Sequence, residues 1–213
     1  MGVLSSNAIR SRLAEPDLER RLVLSPLLEP DEQIRDHQAC VDIKLGTEFR
    51  ISIPALSGVV DTLESGRSAD ECRYESMYVP LGTSIVAHPH QLILGQSIEY
   101  MRFPSDLAGY VVGRSSWGRL GLVVATAVGI HPLFSGVLTL EIRNLGELPL
   151  RLYPGDTIAQ LFLHDVTDPV AFEPSRGQFH GATSPKLGRL RYSTTETKLR
   201  RLAELHRARS RRT

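Results

Sequence analysis

Cysteine is scarce. Cys40 and Cys72 are the only two in 213 residues, too few for a disulfide framework or a cysteine-built zinc site. A reducing, cytoplasmic setting is therefore the expectation. Net charge is nearly absent as well: 25 Lys+Arg against 24 Asp+Glu leave +1. No global field points to a membrane surface or to nucleic acid as a partner. No apolar run approaches the roughly eighteen residues of a transmembrane helix. The N-terminal MGVLSSNAIRSRL lacks the apolar core of a secretory signal. It matches the myristoylation pattern at Gly2 and Ser6, which a helix N-terminus explains more simply. There is no βαβ rhythm and no repeat of roughly 20–50 residues. What is present is 41% apolar residues, enough for a real core in one domain with arms.

Ser5, Ser6 or Asn7 can cap a short helix ending near Leu13, with Ile9 and Leu13 on one face. Strands follow at Ala39–Gly46 and Glu48–Ile53. The polar, glycine-containing Pro54–Ser76 reads as an irregular excursion. Strands resume at Tyr78–Val79, Thr83–Ala87 and Gln91–Glu99. Phe103–Gly109 reads as a turn with a short helical piece, and Tyr110–Val112 as a strand. Val137–Asn144 alternates apolar and polar residues, the period of a half-buried strand. His164–Pro174 is strand-like, Ser175–Pro185 is an arm or flap, and Ser193–Thr213 is a helix with Leu199, Leu202 and Leu205 as a narrow apolar stripe. Its arginine-rich end reads as cations at a helix C-terminus or as an anion contact. Many short strands separated by turn residues predict an all-β barrel or sandwich. The barrel domain is placed at 1–174 and the arm with its basic helix at 175–213.

Two groups carry chemistry. In Gly113-Arg-Ser-Ser-Trp-Gly-Arg119, Arg114 and Arg119 offer forked donors suited to phosphate oxygens, and Ser115 and Ser116 add hydroxyls. The segment is either a phosphate site or an arginine-capped turn; it is not a P-loop. Glu141, framed by Leu140 and Ile142, is either a buried acid–base group with a raised pKa or a solvent-facing strand residue. His88 and His90 share a strand face, but Pro89 between them and the lack of a third ligand argue against a metal site. The His-x-Glu and Cys-x-x-Cys signatures of zinc deaminases are absent.

GRSSWGRLGL, IHPLFSGVLTLEIRNLGELPL and LYPGDTIAQLFL, in this order, resemble the dCTP deaminases of the dUTPase-like superfamily. ACVDIKLGTEF and LILGQSIEYMRFPSDLAGYVVGRSS fit the same pattern, and the resemblance covers most of the chain. It implies a distorted β-barrel or jelly roll with short terminal helices, assembled as a homotrimer, with active sites at subunit interfaces under the C-terminal arm. It implies conversion of dCTP to dUTP and ammonia without zinc, with Mg2+ bound through the triphosphate. Glu141 would be the acid–base group, Ser115 would orient the water, and Arg119 would tune the charge. Arg114 and Ser116 would hold phosphates. A dUTPase-like pyrophosphatase, a bifunctional enzyme and a catalytically silent nucleotide binder are the alternatives.

Three departures from the pattern stand out. His131 occupies the position of an aspartate beside the sugar, which removes the base that dUTP hydrolysis uses. The arm reads Gln178-Phe179-His180-Gly181-Ala182 where the family carries Lys-Tyr and, shortly after, a glutamine. Gln178 and Phe179 still fall over the substrate, but a phosphate cation and a base-reading amide are missing. Val128-Gly129 replaces a polar or basic residue.

Overall fold

The structure is a computed structural model that describes residues 2–53, 74–125, 129–168, 179–188 and 192–210. Its first helix, α1 (Ser6–Leu13), starts at Ser5, whose hydroxyl accepts the Ala8 N–H at 3.3 Å. This satisfies one of the free amides of the first turn. Ile9 is fully buried beneath it. Then come β1 (Val23–Ser25), α2 (Pro30–Gln33), β2 (Val41–Lys44), β3 (Glu48–Ser52), β4 (Tyr74–Tyr78) and β5 (Ile85–Ala87). The centre of the chain supplies β6 (Leu92–Arg102), β7 (Leu107–Gly113), α3 (Ser115–Arg119), β8 (Leu122–Val124) and β9 (Gly129–Ile130). The rest is β10 (Ser135–Asn144), β11 (Leu150–Leu152), β12 (Thr157–Asp165) and α4 (Thr194–Ser210).

The all-β expectation holds. The pairings whose registers are resolved are antiparallel. One sheet runs β4-β3-β6-β10-β8 with β1 added on β6, a second runs β2-β12-β7-β9, and β11 pairs with β5. The closed barrel is corrected: among the described residues the sheets are open paths ending at β4 and β8, and at β2 and β9. Phe49, Ile93, Leu140, Ile142, Leu161 and Leu163 fill one core between them.

Other expectations shift in detail. Of Pro54–Ser76, residues 54–73 lie outside the described residues, and Tyr74–Ser76 are already strand β4. No helical piece forms within Phe103–Gly109; a turn leads into β7 at Leu107. The strand expected to run on from His164 ends at Asp165, and residues 169–178 are not described.

The chain divides into two compact units. The first comprises the described residues up to Ser52 and from Glu75 to Lys186; the second contains α4. In the second unit Ser193 caps α4. The Ser193 hydroxyl accepts the Glu196 N–H at 3.2 Å, while the Glu196 carboxylate accepts the Ser193 N–H at 2.7 Å. This reciprocal capping box holds the Glu196 carboxyl below its ordinary range. The Arg200 guanidinium stacks 3.5 Å from the centre of the Tyr192 ring. Leu199, Leu202 and Leu205 are exposed on this helix of 17 residues.

Candidate functional site

Strand β10 is the axis of the site. It pairs with β6, placing Glu141 opposite Leu94 and Thr139 opposite Gln96, and the register shifts between Val137 and Thr139. At that bulge the Leu138 N–H donates to the Ser97 hydroxyl at 2.9 Å, which in turn donates to the Glu99 carbonyl at 2.7 Å. The bulge leaves Val137 and Leu138 both buried, and the alternation resumes after it. Leu140 and Ile142 then enter the core, while Thr139, Glu141 and Arg143 turn outward. Bulges re-aim side chains in this way next to functional sites. Glu141 is exposed on that outer face, and its carbonyl accepts the Ala125 N–H at 2.7 Å. Of the two readings open in the sequence, the orientation in a single chain is the outward one.

The arm lies beside it. The Gly181 N–H donates to the Ser135 carbonyl at 2.6 Å, and the Val137 N–H to the Ala182 carbonyl at 2.8 Å. Ala182 thus adds a parallel bridge at Gly136. Gly136 has φ +144°, and a β-carbon there would stand 3.0 Å from the Ala182 nitrogen. Only glycine adopts this backbone easily while admitting so close a neighbour. The arm then crosses the face that bears Glu141: the Lys186 N–H donates to the Thr139 hydroxyl at 3.1 Å, and Arg50 Nε donates to the Pro185 carbonyl at 2.9 Å. Phe179 stands 39% exposed at the start of this segment. Gln178 lies outside the described residues.

Arg114 is the N-cap residue of helix α3. Ser115, Ser116 and Arg119 are exposed on it. Trp117 anchors it, packing on the core and donating its ring N–H to the Thr157 carbonyl at 2.9 Å. Strand β8 follows and pairs with the Ile142–Asn144 end of β10. The serines and Arg119 therefore ride on a separate element from Glu141, off the Asn144 end of its strand. Arg114 turns inward instead: its guanidinium lies 3.3 Å from the Asp42 carboxylate, whose other oxygen accepts from Gln160 Nε2 at 3.0 Å. Asp42 is only 2% exposed, so Arg114 balances a buried charge that would otherwise be costly. His131 is exposed at the turn between β9 and β10, where its carbonyl accepts the Phe134 N–H at 3.2 Å.

Among the described residues the buried glutamate is Glu99, which the sequence reading did not single out. It sits on β6 with no exposed surface. Gln33 Nε2 donates to it at 2.7 Å, and the Lys44 N–H reaches both carboxyl oxygens at 3.2 and 3.3 Å. Burial pushes its carboxyl up from 4.5 to about 7, against the lowering pull of these hydrogen bonds. Gln33 also donates to the Asp42 carbonyl at 2.9 Å, and the Lys44 ammonium stands 3.4 Å from Glu29. Glu99 thus ties α2 and β2 to β6.

A family model described as dCTP deaminase-like matches residues 3–166. A protein named dCTP deaminase from Natronomonas pharaonis is 37% identical over 193 residues, covering 88% of this chain and 94% of that protein. One named dCTP deaminase, dUMP-forming, from Methanobrevibacter smithii is 35% identical over 170 residues, covering 79% and 83%. The chain belongs to the dCTP deaminase-like family. The fold is similar to the crystal structure of 2'-deoxycytidine 5'-triphosphate deaminase from Agrobacterium tumefaciens, with a TM-score of 0.55 at 21% identity. That match covers 76% of this chain and 48% of the solved one.

Proposed function

We propose that this protein deaminates dCTP, releasing ammonia and dUTP, with Glu141 as the acid–base group. One observation carries the reading: Glu141 projects from β10 onto the outer face that the arm crosses at Thr139 and Arg50. A carboxylate held on a rigid strand beside a covering segment is placed to meet a planar base and a water. Glu141 takes a proton from the water as its oxygen bonds to C4 of cytosine, and N3 of the base is protonated. Glu141 then passes the remaining hydroxyl proton to the exocyclic nitrogen. The C4–N bond breaks, ammonia leaves, and the C4 carbonyl of uracil remains. Ser115 orients the water and Arg119 sets the local charge. Ser116 and Arg114 serve the phosphates, with Arg114 also neutralising Asp42.

Because α3 rides apart from Glu141 in one chain, the reading places the complete site between copies in a homotrimer, with the arm forming part of a jelly-roll-like closure. The triphosphate brings its own Mg2+. Among the described residues no group of three His, Cys, Asp or Glu side chains is placed to hold an ion. A cytoplasmic location fits a nucleotide substrate.

A second reading has its own support: some relatives, such as that from Methanobrevibacter smithii, are named dUMP-forming. His131 in place of an acid at the β9–β10 turn favours dUTP as the product here. The test is release of ammonia and pyrophosphate from dCTP and dUTP with magnesium, beside Glu141→Gln. Ammonia from dCTP, lost in the variant, with no pyrophosphate, is the expected result. Pyrophosphate together with ammonia establishes the dUMP-forming reading instead. Silence with thermal stabilisation by nucleotide would leave a binding protein and overturn the catalytic reading.

A further inference from the structure

Helix α3 has five residues, too few to hold a helical shape without neighbours. Backbone bonds fasten its ends. The Arg114 N–H donates to the Ile158 carbonyl at 3.1 Å, and the Leu145 N–H donates to the Gly121 carbonyl at 2.7 Å. Gly121 has φ +90°, and a β-carbon there would stand 2.6 Å from the Gly146 nitrogen. Between these ends one side chain turns inward. Ser115, Ser116, Gly118 and Arg119 are exposed, and Trp117 alone on α3 is partly buried.

Helical spacing ties that contact to the rest of the helix. Ser115 and Arg119 are four residues apart and share one face. Trp117, two residues beyond Ser115, lies roughly 200° around the axis, on the opposite side. Seating the indole against the core therefore turns the serine hydroxyl and the guanidinium outward together. Apolar packing is non-directional and would let the flat ring slide. The ring N–H removes that freedom by donating to the Thr157 carbonyl at 2.9 Å, where the register of β12 against β2 shifts between Thr157 and Ala159. Strand β12 also pairs with β7, with Ala159 opposite Gly113. The acceptor thus sits on the strand beside the one that leads into α3.

We propose that Trp117 is the positioning residue of α3: its hydrogen bond to the Thr157 carbonyl sets the rotation of the helix, and with it the direction in which Ser115 and Arg119 are presented. This rests on the deaminase reading above for what those two side chains do. Trp117 touches no reacting atom in that reading. It acts through Ser115, whose hydroxyl holds the water in line with C4, and a displacement of about 1 Å there can cost on the order of a hundredfold in rate. Arg114 is held separately, by Asp42, so phosphate binding does not depend on the indole.

The experiment compares the full chain with Trp117→Phe, which keeps an aromatic ring against the core and removes the donor. The kcat for ammonia release from dCTP should fall on the order of tenfold, with KM within about twofold. In a Ser115→Ala background the same substitution should change kcat by less than about twofold, because a residue acting through Ser115 has nothing left to position. Hydrogen exchange on the ligand-free chains gives a readout apart from activity. The Leu120 and Gly121 amides, which donate to the Trp117 and Gly118 carbonyls, should exchange roughly fivefold to tenfold faster in Trp117→Phe, while those of Leu140 and Ile142 in β10 stay level. An unchanged kcat, an equal fall in both backgrounds, or faster exchange in β10 as well as α3 would overturn the assignment. Ammonia release by the unmodified chain separates the two claims. If it deaminates dCTP but Trp117→Phe leaves kcat and the α3 amides unchanged, Trp117 is refuted and the deaminase stands. If it releases no ammonia, yet the α3 amides alone quicken in the variant, the deaminase falls and the seating of α3 by Trp117 stands. No ammonia together with unchanged α3 amides overturns both.

Discussion

Glu99 makes stability depend on pH in a calculable way. Its carboxyl is shifted from 4.5 to about 7, chiefly by burial. Between those two values the folded protein keeps a proton that the unfolded chain has released. Stability should therefore be highest below about pH 4.5 for this group, fall as pH rises through the window, and level off above about 7. At about 1.4 kcal/mol per pH decade, the full window is worth about 3 kcal/mol, or roughly 6–12 °C in melting temperature for a chain of this size. Other carboxylates and histidines titrate in the same range, so the readout is the difference between the wild type and Glu99→Gln. The amide keeps an oxygen to accept from Gln33 and Lys44 but never has to lose a proton. Glu99→Gln should match the wild type near pH 4.5 and exceed it by about 3 kcal/mol near pH 8. Urea unfolding at half-unit pH steps measures this directly. A constant difference across the range, or a variant that loses ground as pH rises, would refute the claim that the buried carboxyl is the titrating group.

Asn144 is fully buried, donating to the Ala87 and Leu148 carbonyls at 2.9 and 2.8 Å and accepting the Gly146 N–H at 2.9 Å. Asn144→Ala strands all three groups and should lower the unfolding free energy by roughly 3 kcal/mol or more, read from the urea midpoint. Gly136→Ala forces a β-carbon against Ala182 in a backbone region that side chains avoid. It should cost on the order of 1–3 kcal/mol, speed proteolysis within Phe179–Lys186, and lower ammonia release without altering the core; an unchanged cleavage rate would refute the docking described for the arm.

The alternation of Val137–Asn144 was enough to identify a strand, because a period of two is a local property of backbone geometry, but it left open whether Glu141 is buried or faces outward. The cap of the first helix was legible for the same reason, since Ser5, one of three candidates, acts on an amide three residues on; the part Glu196 plays in the Ser193 cap was not singled out. The bulge at Leu138 was not legible, because it depends on the Ser97 hydroxyl, 41 residues away in the chain. The pairing of Arg114 with Asp42 spans 72 residues and that of Gln160 with Asp42 spans 118. An arginine read locally as a phosphate donor is therefore also the counter-ion of a buried acid. Glu99 escaped notice for a related reason. Residues 93–97 of β6 are all buried, so alternation fails around Gln96, while from Ser97 to Arg102 it holds and places Glu99 on the buried face. A polar residue buried there has no route to water, and its chemistry follows from the few donors and acceptors that the fold brings to it from distant parts of the chain. Glu99 is met by Gln33 and Lys44. Gln96 Oε1 is met by none of the described residues, so the one amide opposes folding where the carboxyl of Glu99 fastens it.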